Sequence, residues 1–191
     1  MEIEKYQALA MRTSPPGHDR VLNGCLGLIG EVGEIVDIVK KWKFQSGDNA
    51  ELPTDKIIDE CGDVLWYCAE LAEGLNDSIA RMYALSAQEF DDMREFVEES
   101  PIEITVGRLA SFAPAPFEQL EDMPPRTDEK WRQMRIASAK AQIVGIMVTI
   151  RDILEVHCKV TMSGAMDYNI AKLRKRYPDG FDPERSLHRS E

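Results

Sequence analysis

The stretch Gly24-Cys25-Leu26-Gly27-Leu28-Ile29-Gly30-Glu31-Val32-Gly33-Glu34 decides the fold class. It lies in an amphipathic pattern from about Val21 to Lys43, whose apolar stripe is Leu22, Leu26, Ile29, Val36 and Val39. Glu31 and Glu34 are three residues apart, so a helix projects both from one face. Gly24, Gly27, Gly30 and Gly33 recur at every third position inside the same helix. Each costs about 0.8–1 kcal/mol relative to alanine in a helix interior. Close approach of a second helix, or room for a ligand, offsets that cost.

A second helix repeats the device. Glu60-Cys61-Gly62-Asp63 falls within a helical pattern from Asp55 to Glu73, with Thr54 as its N-cap and Gly74 as its stop. The polar loop from Phe44 to Thr54 is short, so the two helices read as antiparallel neighbours. Glu31 and Glu34 then face Glu60 and Asp63 across one groove. Two like charges about 5 Å apart repel by roughly 3 kcal/mol at an effective dielectric near 20. Proton uptake relieves this, and so does a divalent cation. An all-oxygen ligand set without His or Cys favours Mg²⁺, with Mn²⁺ as a substitute. A single Glu-x-x-Glu pair reads more simply as a solvated face; two pairs on adjacent apolar helices do not.

The rest of the chain reads as helix as well, giving an all-α antiparallel bundle in one domain. A short helix covers about Glu2 to Arg12 and breaks at Thr13-Ser14-Pro15-Pro16-Gly17. Asn76 or Asp77 caps a fourth helix from Ser78 to about Glu98. Pro101 to Thr127, with Pro114, Pro116, Pro124 and Pro125, reads as loop with one short helical turn. Thr127 caps a long helix from Asp128 to about Val160, striped by Ile143, Met147, Ile150 and Leu154; Gly164 breaks it, and a last helix runs from Ala165 to Arg176.

Among 191 residues, 23 Lys and Arg against 34 Asp and Glu leave a net charge of −11. Such a surface repels nucleic-acid backbones and anionic lipid. Cys25, Cys61, Cys68 and Cys158 form no CxxC pair and sit in apolar context, as reduced core residues of a cytoplasmic protein do. The charged N-terminus does not read as a signal peptide, and the apolar run Ala141 to Ile150 is too short to span a bilayer.

Three further groups stand near the acids. Tyr67 follows Asp63 by one helical turn and Trp66 adjoins it; both read as core or as a stacking surface for a base. Lys40, Lys41 and Lys43 suit the negative end of their helix, and one of them is in position to meet a phosphate. Asn169, Lys172 and Arg176 share one face of the last helix and offer charge-assisted donors to an anion.

The three motifs Gly27-Leu28-Ile29-Gly30-Glu31-Val32-Gly33-Glu34, Glu60-Cys61-Gly62-Asp63-Val64-Leu65-Trp66-Tyr67 and Asn169-Ile170-Ala171-Lys172-Leu173, the last followed by Arg176-Tyr177-Pro178 and Gly180-Phe181, occur in this order. Together they resemble the MazG-like nucleotide pyrophosphohydrolases of the all-α NTP pyrophosphatase superfamily. Tyr6 with Arg12-Thr13 resembles the usual opening of that family. The resemblance covers about Met1 to Gly74 and Asp167 to the C-terminus; the insertion at about 76–166 departs from it. It implies Glu31, Glu34, Glu60 and Asp63 as Mg²⁺ ligands, and Lys172 and Arg176 on phosphate oxygens. It implies Asn169 orienting the nucleotide and Tyr67 or Trp42 flanking the base. The implied reaction is water attack on the α-phosphorus of a nucleoside triphosphate, releasing pyrophosphate. Glu34 and Glu60 would be catalytic, with Glu34 taking the proton.

Rival readings differ in class. A ferritin-like di-iron bundle needs Glu-x-x-His pairs, which His18, His157 and His188 do not form. A P-loop is absent. A dUTPase- or phosphoribosyl-ATP-type hydrolase of the same superfamily, or a non-catalytic helical interaction protein, remains open. Small helical members of the superfamily pair to complete their bundle, so a homo-oligomer, dimer or tetramer, is expected. The long inserted helix then either fills the core of its own chain or widens an interface.

Overall fold

The two helices that carry the acids run antiparallel in contact along their length. A computed structural model of the chain describes residues 1–47, 49–84, 100–121 and 128–187. In chain order the helices are α1 (Ile3–Ala10), continued by a 3₁₀ turn at Met11–Thr13, α2 (Arg20–Gln45), α3 (Thr54–Gly74) and α4 (Ile102–Phe112). There follow α5 (Ala115–Leu120), α6 (Glu129–Asp152) with a π turn at Ile153–His157, α7 (Met162–Arg176) and α8 (Pro183–Leu187). A further helical segment begins at 79 and is described to 84. No strand occurs among the described residues. The all-α class is therefore as read from the sequence.

The helix ends follow local chemistry. Asp19 starts α2, its carboxylate accepting from the amides of Val21 and Leu22. α3 starts after Pro53 rather than on a Thr54 cap; Thr54 is its first helical residue. Its end is a Schellman motif. The Asp77 amide donates to Ala72 O at 2.8 Å and the Asn76 amide to Glu73 O at 3.1 Å. Asn76 takes the left-handed conformation at φ 52°. The helix stops where Gly74 predicts, but Asn76 makes the turn. Gly74 serves packing instead, since a Cβ there would lie 3.0 Å from Arg20 and Val21 side chains. Ser78, not Asn76 or Asp77, caps the next segment by accepting from the Arg81 amide at 3.1 Å.

The segment read as loop from Pro101 to Thr127 holds two helices over its described part. Pro101 immediately precedes α4, Pro114 precedes α5, and Pro116 lies in the first turn of α5. Proline is tolerated there because first-turn amides have no helical partner. Pro101, Pro114 and Pro116 therefore start helices rather than mark a loop. Asp128 caps α6, accepting from the Trp131 amide at 2.9 Å. The proposed Thr127 cap and the fourth-helix end at Glu98 lie outside the described residues. α6 also ends before Val160, and Gly164 does not break it. Gly164 sits in the first turn of α7, donating its amide to the Thr161 cap at 3.1 Å.

Packing corrects the first half of the α2 stripe and keeps Val36 and Val39 against the core. Its buried residues are Cys25, Leu28, Val32, Ile35 and Val39, while Leu22, Leu26 and Ile29 are 36%, 55% and 40% exposed. Both faces of this helix are apolar, so periodicity alone cannot choose the inward one. The glycines do: a Cβ on Gly24 would lie 2.5 Å from Leu71, and one on Gly27 2.1 Å from the Tyr67 ring. These two contacts place α3 against that side and fix the antiparallel register. Gly30 and Gly33 face open space.

α4 and α5 cover another side of α2, with Lys43 of α2 paired to Glu103 of α4 at 2.8 Å. α6 packs on α3, α4 and α5. Every residue from Ile143 to Asp152 is buried. Of the two roles foreseen for this helix, it fills the core of its own chain. All four cysteines are buried and free, as expected. No helix among the described residues is long and apolar enough to cross a membrane.

Candidate functional site

The α2–α3 register pairs Gly24 with Leu71 and Gly27 with Tyr67, so one turn further on Glu31 meets Asp63 and Glu60. Glu31, Glu60 and Asp63 each offer an oxygen, and these lie within 4.8 Å of one another. All three side chains are half-buried. Burial raises the Glu31 carboxyl, and the charges of Asp63, Glu60 and Glu34 add to it, to about 7. Glu60 is raised for the same reasons, burial first and then Asp63, Glu34 and Asp59. Glu34 is exposed at the rim. It belongs to the field of the cluster without sharing its oxygen contacts.

A third helix completes the site. Lys172 of α7 donates to Asp59 Oδ1 at 2.6 Å and to Asp63 Oδ2 at 2.7 Å. Burial pulls the Lys172 ammonium down, but the charges and hydrogen bonds of Asp63 and Asp59 outweigh it and leave it above its ordinary value. Asn169 is fully buried and donates from Nδ2 to Asp63 Oδ1 at 2.9 Å. Its amide therefore meets the carboxylate. Gly62 allows this approach, since a Cβ there would lie 2.9 Å from Asn169 Cβ. Tyr6 of α1 closes the back of the site, donating to Asn169 Oδ1 at 2.9 Å.

An open cleft of about 170 Å³ runs from Glu31 and Asp63 past Trp66, Tyr67 and Tyr177 to Arg176. Trp66 and Tyr67 meet edge to face at 4.9 Å, and Tyr177 stacks on Phe181 at 6.2 Å. The Trp66 indole donates to Thr13 Oγ1 at 2.9 Å, which fixes its ring in the wall. Tyr67 and Arg176 thus reach the cleft beside the acids. Lys40 does not line it; it pairs with Asp37, as does Lys41 at 2.5 Å. Trp42 lies more than two turns beyond Glu34, with its indole on Ala50 O at 2.9 Å.

Sequence reading missed Asp59, and it quoted Tyr6, Tyr177 and Phe181 as motif residues without giving them a place in this region. Asp59 carried a signal, because it precedes Asp63 by one helical turn and Lys172 bridges that pair. The contact of Tyr6 with Asn169 spans 163 residues of chain and leaves no local pattern.

The donor set suits a hard divalent cation. Octahedral Mg²⁺ holds oxygens at about 2.1 Å, so its ligand atoms are separated by at most roughly 4.2 Å. The 4.8 Å limit of the cluster is within a small side-chain adjustment of that. The raised Glu31 and Glu60 mark negative charge that a cation would neutralise. Both Asp63 oxygens accept hydrogen bonds, yet each keeps a second lone pair.

No family model matches the chain, and no solved structure matches it. Over 52 residues, 27% of this chain, it is 42% identical to the Gene 37 protein of Mycobacterium phage L5, and the match spans 46% of that protein's length.

Proposed function

We propose that this protein is a Mg²⁺-dependent nucleoside triphosphate pyrophosphohydrolase of the MazG-like type, converting a (d)NTP and water to (d)NMP and diphosphate. The observation that carries the reading is the convergence of Glu31, Glu60 and Asp63, of which Glu31 and Asp63 line an aromatic-walled cleft that also holds Arg176. The three carboxylates would hold the cation, which when bound supplies charge neutralisation and an acidified water. Tyr67 and Trp66 offer a face to the base, and Arg176 offers guanidinium donors to phosphate oxygens. Lys172 sits behind Asp63 and holds it in place. A bond forms from the water oxygen to the α-phosphorus, and the bond to the bridging oxygen breaks with its electron pair leaving on pyrophosphate. Glu34, exposed beside the cluster, would accept the proton of that water.

A homo-oligomer belongs to the same proposal. On the exposed face of α2, Leu22 and Leu26 lie toward its N-terminal end, and the open notches at Gly30 and Gly33 lie near its middle. A two-fold axis across this face sets the leucines of one copy against the glycines of its partner, which is an isologous contact.

The test is pyrophosphate release from each NTP and dNTP, dUTP and phosphoribosyl-ATP included, with and without Mg²⁺, beside Glu60→Gln. Metal-dependent turnover that the variant loses supports the reading. No release from any substrate, or equal release by the variant, overturns it.

A further inference from the structure

We infer that Tyr6, on the first helix, is a positioning residue for cation binding: its hydroxyl anchors the Asn169 amide that holds Asp63. This rests on the proposal that the carboxylate cluster takes a divalent cation.

The hydroxyl of Tyr6 has one proton and two acceptors in reach, Asn169 Oδ1 at 2.9 Å and Gly62 O at 3.2 Å. Tyr6 and Asn169 are both 0% exposed, so bulk water does not compete for these bonds. An asparagine amide has two orientations that fill nearly the same volume. In one, Nδ2 donates to Asp63 Oδ1, as found at 2.9 Å. In the other, Oδ1 points at the carboxylate, and two acceptors face each other without a proton. Asp63, an acceptor only, selects the first, and the Tyr6 proton on Oδ1 then ties the amide in that place. Burial, and then the Asp63 charge, keep the phenol protonated and therefore a donor.

Lys172 holds the other oxygen of Asp63 at 2.7 Å. The carboxylate is thus fixed at both ends, by a cation on one oxygen and a two-step relay on the other. Removing the Tyr6 hydroxyl leaves Asn169 Oδ1 without its phenol donor and lets the amide shift away from Asp63. Lys172 alone then orients Asp63, and the ligand set is no longer preformed. Partners of metal ligands in this position typically contribute about 10–100-fold to metal affinity.

The experiment is Mn²⁺ binding to the full chain at 10 °C, read by the loss of the free-ion EPR signal. It compares the wild type with Tyr6→Phe, Asn169→Leu and the double variant. Val106→Ala on α4, which is buried far along the chain from the cluster, controls for lost stability. Tyr6→Phe is expected to weaken Mn²⁺ binding by about 10-fold, with unchanged helical circular dichroism, while Val106→Ala binds as the wild type does. In the Asn169→Leu background the same change is expected to weaken binding no further, because the relay is already cut. Wild-type affinity in Tyr6→Phe, or full additivity in the double variant, overturns the positioning role while leaving the cation site standing. If Tyr6→Phe does not fold, the role stands or falls on Asn169→Leu, which must lose affinity. A wild type that binds no Mn²⁺ overturns the cation reading and this inference with it.

Discussion

Replacing Glu31 by glutamine keeps its shape and removes its charge, and the metal-free protein should become more stable for it. The Glu31 carboxyl titrates at about 7, raised by burial and by Asp63, Glu60 and Glu34, against an ordinary value of 4.5. Raised means that the fold favours the protonated form. Below pH 4.5 both folded and unfolded chains are protonated there, and the site costs nothing. Between pH 4.5 and 7 the unfolded chain ionises first, so stability falls as pH rises. Above 7 the folded protein carries the whole penalty. An undiminished shift of that size is worth roughly 3 kcal/mol, but Glu31 is only half-buried, and solvent screening reduces it to about 1–2 kcal/mol. For a chain of this size that is roughly 2–8 °C in Tm. Metal-free Glu31→Gln at pH 8 should therefore melt higher than wild type by that amount, and the gain should vanish near pH 4.5. Mg²⁺ should reverse the order. At a hundred times its Kd a ligand adds about 2.7 kcal/mol, which the wild type gains and the variant, one carboxylate short, largely forgoes. Calorimetric melts at pH 4.5 and 8, with and without Mg²⁺, decide it. A variant less stable than wild type at pH 8 without metal, or stabilised equally by Mg²⁺, would refute the reasoning.

Gly27→Ala should destabilise the protein by about 1–3 kcal/mol in urea melts, because its Cβ would lie 2.1 Å from the Tyr67 ring and must push it into the cleft; an unchanged midpoint would mean that α2 and α3 are not in this register. Lys172→Met removes the cation between Asp59 and Asp63, which also lowers Glu31 and Glu60. Its Glu31 should titrate higher still in carboxylate NMR, and turnover should drop by about 100-fold or more; a Glu31 titration at or below the wild-type pH would contradict the electrostatics. Leu26→Glu should reduce the mass in light scattering to that of one chain while leaving the melting temperature of the monomer within a few degrees, since Leu26 is 55% exposed; a wild type that is already monomeric removes the α2 face as an interface.

The parts of the site legible in the sequence were those set by helical spacing. Glu31 is on one helix and Glu60 and Asp63 are three apart on the next, so a short loop between them suffices to bring them together. Lys172 and Asn169 were legible as one face of a helix, but their target was not. Nothing local indicates that Asn169 is buried against Asp63 or that Lys172 bridges Asp59 to it. The inward face of α2 was misread because hydrophobicity is nearly two-sided there, and steric contact at Gly24 and Gly27 decides it. The prolines at 101, 114 and 116 misled for a related reason: a residue that ends one helix is equally suited to begin another, and composition does not tell which.

The most direct measurement is a crystal grown with Mn²⁺ and imaged at the manganese absorption edge. An anomalous peak within about 2.3 Å of oxygens from Glu31, Glu60 and Asp63 is the predicted result. A fully occupied Mn²⁺ elsewhere on the molecule, or no peak between α2 and α3 at millimolar metal, would contradict the account.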